Sequence, residues 1–287
     1  MMLSKPFGFT LFSPQIGAIA NKEWMDGRRN RWLQSITVLL FLLALGIAYL
    51  GGAVAGKVGF TGLSNTIVSL ASLAVLIMPL IALLLSYDAI VGEDECGTLL
   101  LLSAYPISPI ELFLGKWLGR SLVLGSSICI GFGCAALVLI FSTDTPYQDI
   151  LNAFSVFILS ALLLGMSFLA IGIWISSLCK TRAQATGVSL LIWFLAAVLF
   201  DLLLLSLLVF SQGHVETGLL AGLLLANPTD IFRMVNFALF ADMQKHTGLM
   251  EVQQSMDFSV GSLLSFALLW VLIPLILAYR SFTKRTL

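Results

Sequence analysis

The chain has 287 residues, of which 59% are hydrophobic and only 10% are charged, and its formal net charge is zero. In a soluble domain roughly a quarter of all residues are charged, so the excess apolar surface of this chain must face lipid. A neutral chain without a basic tail gives no support to nucleic-acid binding.

Six apolar runs of about twenty residues or more follow one another, each long enough for a helix to cross a ~30 Å hydrocarbon core. The runs are 32–52, 66–87, 118–141, 152–178, 185–210 and 260–279. If the N-terminus is inside and the connections alternate, 12 of the 15 lysines and arginines lie on the inner side. This positive-inside pattern predicts an all-α integral membrane protein with six transmembrane helices and both ends in the cytoplasm.

The predicted domain organisation follows from these runs. Residues 1–31 form a cytoplasmic N-terminal segment, 32–279 form the transmembrane domain, and 280–287 form a cytoplasmic tail. Two connections within the domain are long, a cytoplasmic one at 88–117 and a periplasmic one at 211–259. Long ordered connections usually carry function, so we look for functional residues there.

An amphipathic helix is predicted ahead of the first crossing. Ser13 followed by Pro14 is a helix-start signal, because serine caps the first turn and proline fits its first position. Apolar residues then recur at helical spacing between positions 16 and 24, with polar ones between them. The pattern indicates a helix along the membrane surface, and the alternative is a soluble tail that docks nowhere.

The cytoplasmic connection contains three consecutive acids, Glu93, Asp94 and Glu95, followed by Gly97, Thr98 and a short apolar run that ends at Pro106. Acids are favoured at a helix N-terminus by the macrodipole, so a short helix is expected to start near Asp94. Such a helix suits a groove of a cytoplasmic partner whose Arg or Lys side chains face the acids. The alternative is a solvated acidic loop that leads into the third crossing.

The periplasmic connection contains a second helix-start signal, Asn227-Pro228-Thr229-Asp230, between two apolar stretches that are too short to span. Two short apolar helices broken at a proline indicate a re-entrant or interfacial hairpin. Backbone of that kind persists at membrane depth only where protein or water covers it. The hairpin would cap the outer mouth of a pathway, and the alternative is an interfacial helix that anchors the loop.

Asp201 lies past the middle of the fifth apolar run, and no membrane Lys or Arg is expected to pair with it. The apolar residues around it still favour insertion, since one central acid costs only ~2.5–3.5 kcal/mol. Asp201 is expected to face a wet cavity or a helix interface. It is either a pathway or gate residue, or a hydrogen-bonded packing residue.

No catalytic set or metal-ligand spacing is recognisable, so we expect neither a metal nor a cofactor on this chain. Gly115-Lys116 looks like the end of a phosphate loop, but Ile110 and Trp117 stand where that motif needs a glycine and a hydroxyl residue. The chain is therefore not expected to hydrolyse ATP by that route.

The crossings, the amphipathic helix, the acidic inner segment and the broken hairpin together resemble the ABC-2 (type V) class of ABC exporter permeases. The matching runs are 95–99, 105–108 and 114–116, and the resemblance covers the chain from Lys22 onward. It implies that the inner segment is a coupling helix that docks onto a separate ATPase subunit, which binds the ATP and Mg. It also implies that the Asn-Pro hairpin forms an outer gate.

Further runs are similar to one branch of this class, the permeases that serve maturation of the copper–sulfur sites of periplasmic nitrous oxide reductase. These runs are 58–61, 87–95, 200–202 and 227–231, although Cys96 stands where that branch is expected to have glycine. The resemblance implies a homodimer in the bacterial inner membrane, an ATPase dimer below it and a periplasmic β-helix protein above it. It also admits a copper chaperone lipoprotein as a further partner.

Two hypotheses follow. In the first, the chain is a non-catalytic permease that moves a sulfur or copper-related species or relays ATP-driven motion. Glu93, Asp94, Glu95, Gly97 and Thr98 would then contact the ATPase, and Asp201 would lie in the dimer interior. Asn227, Pro228 and Asp230 would organise the gate. The second hypothesis is a stand-alone secondary transporter or an assembly scaffold without an ATPase. An ABC-2 exporter of another substrate is a further alternative. The absence of other membrane charges argues against proton coupling.

Overall fold

The computed structural model describes residues 13–50, 62–99, 107–143, 145–212, 216–239 and 258–286. Six helices in this part are long and apolar enough to cross a membrane, which confirms the predicted number. The crossings, first to sixth, are Trp32–Leu50, Leu63–Ser86, Pro109–Ser142, Tyr147–Leu178, Arg182–Phe210 and Val260–Thr286.

The third crossing begins at Pro109, well before the apolar run that starts at position 118. Ser108 explains the early start, because its hydroxyl accepts a hydrogen bond from the N–H of Glu111 at 3.3 Å. The Glu111 carboxylate accepts in return from the N–H of Ser108 at 2.9 Å. This capping box extends the helix through Lys116 and Arg120, which the sequence placed in the connection or at the helix end.

The fourth crossing is the centre of the bundle and packs against the second, third and sixth crossings. Of its central apolar stretch, 67% is buried, compared with 17% for the fifth and the sixth crossings. Phe157 of the fourth crossing makes edge-to-face contacts with Phe132 and Phe232, with ring centroids 4.9 and 5.9 Å apart. The fifth and sixth crossings therefore present most of their apolar surface to lipid or to further subunits.

The amphipathic helix is present at Pro14–Arg29, and the Ser13 hydroxyl caps it as predicted. It lies across the beginning of the third crossing, where two glycines allow close approach. A Cβ atom on Gly119 would lie 2.6 Å from the carbonyl oxygen of Ala20, and one on Gly115 would lie 2.6 Å from Cβ of Ile19. We call the end of the bundle that carries this helix the N-terminal face.

Two short helices, Thr217–Leu225 and Pro228–Leu239, form a hairpin that enters the bundle from the opposite end, the hairpin face. The Trp270 indole N–H donates to the carbonyl of Leu225 near the hairpin turn, at 3.0 Å. Trp270 is ten residues beyond the start of the sixth crossing, so the turn lies about 15 Å below that helix end at ~1.5 Å per residue. The turn therefore lies inside the bundle, which favours the re-entrant form of the hairpin over the interfacial one.

Candidate functional sites at the two faces

Glu23 of the amphipathic helix is the centre of an ion network at the N-terminal face. Its side chain is 8% exposed and accepts from Lys116 Nζ at 3.2 Å and from Arg120 Nε at 3.2 Å. Lys22 Nζ approaches it at 3.4 Å. A buried carboxylate needs such partners, because leaving it alone in an apolar environment would cost several kcal/mol.

The same two cations also bind the segment that follows the second crossing. Lys116 Nζ lies 2.5 Å from Glu93 Oε1. The Arg120 guanidinium donates to Asp88 at 2.6 Å and to the carbonyl of Leu85 at 2.5 Å. The network therefore joins the amphipathic helix, the third crossing and the acidic segment into one unit.

The pKa of Glu23 reflects these contacts. Burial by itself disfavours the charged carboxylate, but Lys116, Arg120 and Lys22 together lower its pKa to about 2. The ionised form is thus held in the folded protein over the whole neutral and mildly acidic range.

A pH dependence follows with a defined sign. Because folding lowers the pKa of Glu23 from 4.5 to about 2, its stabilisation is complete above pH 4.5 and is lost as the pH falls towards 2. Other carboxylates titrate in the same range, so the comparison is with Glu23→Gln. We expect the difference in unfolding free energy between wild type and this variant to shrink from pH 5 to pH 3. A constant difference over that range would contradict the assignment.

The three acids lie in a one-turn helix, Val91–Glu95, that is bonded to the end of the fourth crossing and the start of the fifth. The hydroxyl of Ser176 accepts from the backbone N–H groups of Ile90 and Val91 at 2.9 and 3.0 Å. Arg182 donates to the carbonyl of Gly92 at 2.7 Å and pairs with Glu95, whose carboxylate also accepts from the Arg182 backbone N–H. We call Val91–Glu95 the acidic helix.

The predicted contact residues do not all face outward. Asp94, Glu95, Gly97 and Thr98 are exposed on the N-terminal face, whereas the Glu93 side chain is 17% exposed and turns inward to Lys116. Gly97 has a φ of +69°, which ends the acidic helix in the left-handed region that glycine favours. The helix starts at Val91, earlier than expected, and Thr98 and Leu99, the last described residues before 107, are again helical.

The hairpin turn is joined to a π-helical stretch of the fifth crossing, Leu195–Leu199. There the N–H of Phe200 bonds to the carbonyl of Leu195, five residues back instead of four, and this shift leaves the carbonyl of Ala196 accessible. Ala196 accepts from the Asn227 amide at 2.9 Å and from the Thr229 hydroxyl at 3.4 Å. The Asn227 oxygen also caps the second hairpin helix by accepting from the N–H of Thr229 at 3.1 Å.

Asp201 has a cationic partner, so the prediction that it lacks one is wrong. Arg233 donates to both carboxylate oxygens of Asp201, at 2.8 and 2.6 Å, and to Asp230 at 3.2 Å. The prediction failed because it placed Arg233 in a periplasmic loop. In the structure Arg233 lies in the second hairpin helix, which enters the bundle beside the fifth crossing. The spacing of three residues is a local signal for the contact between Asp230 and Arg233, but no local signal indicates the contact between Asp201 and Arg233.

The second hairpin helix is also tied to the fourth crossing. The buried Asn236 amide donates to the Ser160 hydroxyl at 3.0 Å and to the carbonyl of Phe232 at 2.8 Å. Asn227, Pro228 and Asp230, the predicted gate residues, therefore belong to a segment with polar links to the fourth, fifth and sixth crossings. In the part of the chain that the structure describes, no group of His, Cys, Asp and Glu side chains is arranged to hold a metal.

Comparisons with known proteins all identify ABC transporter proteins. The family model described as "ABC-2 family transporter protein" matches residues 17–287. The protein named "Probable ABC transporter permease protein NosY" from Stutzerimonas stutzeri is 45% identical over 272 residues, covering 94% of this chain and 99% of its own length. Its namesake from Pseudomonas aeruginosa is 46% identical over 273 residues, covering 95% and 99%.

Proposed function

The chain belongs to the ABC-2 family of transporter proteins and is a permease subunit, and we propose that it serves the maturation of periplasmic nitrous oxide reductase. In this role it takes part in building the copper–sulfur sites of that enzyme. It moves a sulfur or copper-related species across the membrane, or it relays ATP-driven motion to a periplasmic partner. ATP and Mg are bound by a separate ATPase dimer, and this chain holds no cofactor.

The assembly that we propose contains two copies of this chain in the bacterial inner membrane, with both termini in the cytoplasm. The ATPase dimer binds the N-terminal face, and a periplasmic β-helix protein binds the hairpin face, with a copper chaperone lipoprotein as a further partner. The similarity to permeases named NosY and the excess of basic residues near the N-terminal face support this arrangement.

The observation that carries the coupling role is the rigid anchoring of the acidic helix. Its backbone is held by Ser176 and Arg182, and Glu93 is held by Lys116, so the exposed residues from Asp94 to Thr98 have a fixed position. A movement of a bound ATPase at this surface would therefore be passed to the third, fourth and fifth crossings together. A loosely attached loop would dissipate the same movement.

Charge reversal at the exposed acid tests this proposal. Asp94 is exposed on the N-terminal face, whereas Glu93 turns inward to Lys116, so Asp94→Lys changes the charge of the outer surface. We expect this variant to lose most co-purification with the ATPase and to leave nitrous oxide reductase low in copper in cells. Asp149→Lys, an exposed acid at the hairpin face, is the matched control for association with the ATPase. Unchanged ATPase association and copper content in the Asp94 variant would argue strongly against the proposal.

A further inference from the structure

A partly open cavity of about 270 Å³ lies between the fifth crossing and the two hairpin helices. Its walls are mostly apolar and come from all three elements, including Leu204, Leu220, Leu224 and Met234. Leucine side chains of the fifth crossing that are about half exposed, Leu202 and Leu205, line it as well, so the cavity adjoins the outer surface of the bundle. Ligand pockets usually measure ~300–1,000 Å³, so the volume suits a compact ligand.

The polar end of the cavity has two acidic side chains for one basic side chain, a formal surplus of one negative charge. Asp201, Asp230 and Arg233 line it, and one guanidinium serves two carboxylates. Arg233 makes two short bonds to Asp201 but only one longer bond, of 3.2 Å, to Asp230. The guanidinium thus neutralises the Asp201 carboxylate more fully than the Asp230 carboxylate.

Asp230 also has an unused hydrogen-bond acceptor. The residue is 3% exposed, and its Oδ2 has no hydrogen-bond partner among the residues that the structure describes. A buried carboxylate oxygen without a donor costs free energy, and a ligand that donates to it would recover that cost. Asp230 is one of the residues that line the cavity, so a ligand bound there would lie beside it.

We propose that this cavity is a binding site for a compact organic cation of the alkylammonium type. Its ammonium group donates to Asp230 and balances the surplus charge, and its alkyl part occupies the leucine-lined end. An anion would add to the negative charge and would be rejected. A neutral alcohol of equal length would gain the apolar contacts without the charge-assisted hydrogen bond, so it would bind more weakly.

The test uses the full-length chain with its ATPase subunit in phosphatidylcholine nanodiscs, without nucleotide. Hexylammonium, hexanol and hexanoate are compared for saturable binding, one site per chain. We expect hexylammonium to bind tightest and hexanoate not to bind. Asp230→Asn should weaken hexylammonium binding about tenfold or more, as expected for the loss of a charge-assisted hydrogen bond. Asp149→Asn, at an exposed acid of the hairpin face, should bind as wild type does.

A second variant keeps the test decisive if Asp230→Asn does not fold. Leu220 is 1% exposed and lines the cavity, so Leu220→Trp should fill the apolar end and abolish binding while the charges remain. Equal binding of all three compounds, no binding of any, or full binding to both variants would overturn the proposal. Because no nucleotide is turned over, such a failure would leave the proposed function standing.

The ammonium group has two possible sources, a free cation and a phosphatidylethanolamine headgroup. Nanodiscs rich in phosphatidylethanolamine separate them. Weaker hexylammonium binding in these nanodiscs than in phosphatidylcholine assigns the site to the lipid, and equal binding assigns it to a free cation. Either result supports recognition of an ammonium group by Asp230.

Discussion

Arg233→Met is expected to destabilise the hairpin by about 3 kcal/mol. The substitution leaves Asp201 and Asp230 without their shared guanidinium, and breaking a buried ion pair on one side typically costs ~3–5 kcal/mol. The lower end applies because the Asp201 side chain is 34% exposed in the single chain. Hydrogen exchange of the Pro228–Leu239 amides in nanodiscs measures this local stability, and it should become faster by about a hundredfold.

A double variant separates the missing charge partner from lost packing. Adding Asp201→Asn to Arg233→Met removes one of the two orphaned carboxylates, so it should recover part of the lost protection, with Asp230 accounting for the rest. Arg280→Met, at an exposed position of the sixth crossing, is the control and should leave the hairpin unchanged. Unaltered exchange in Arg233→Met would mean that the ion pair does not hold the hairpin to the fifth crossing.

The local signals of the sequence predicted the elements of this fold well. The Ser13-Pro14 pair marks the start of the amphipathic helix, and Asn227-Pro228 marks the hairpin turn. Both work because capping and proline geometry depend only on neighbouring residues. The six crossings follow from hydropathy for the same reason, since lipid exposure acts on each apolar run by itself.

Local signals could not predict which residues of different helices are in contact. Arg233 and Asp201 are 32 positions apart, and their meeting depends on how deep the hairpin enters the bundle. Glu93 was expected to face a partner, but the early start of the third crossing places Lys116 beneath it. In each case a charge that looked exposed along the chain is neutralised by a helix whose position only packing determines.

The strongest prediction at the N-terminal face concerns Lys116, whose side chain is 3% exposed and lies between Glu23 and Glu93. Lys116→Met leaves both carboxylates with fewer partners, and one oxygen of Glu93 already lacks a donor among the described residues. We expect a loss of about 3–5 kcal/mol in stability. Lys180→Met, at an exposed lysine of the same face, should cost little.

The more informative result comes from combining Lys116→Met with Glu93→Gln. Without Lys116, the Glu93 carboxylate keeps the exposed Lys22 as a partner, at 3.4 Å. Removing the charge of Glu93 should therefore restore much of the stability, because a neutral amide is cheaper to bury than a carboxylate. The link between the amphipathic helix and the acidic helix through Lys116 is absent in both the single and the double variant. We therefore expect the coupling of ATP turnover to the permease to be low in both. Measuring unfolding and permease-dependent ATP turnover in the same preparation distinguishes the two effects. If stability and coupled ATP turnover both recover, the role of Lys116 is only to neutralise the nearby carboxylates. If stability alone recovers, Lys116 is part of the path along which movement is transmitted.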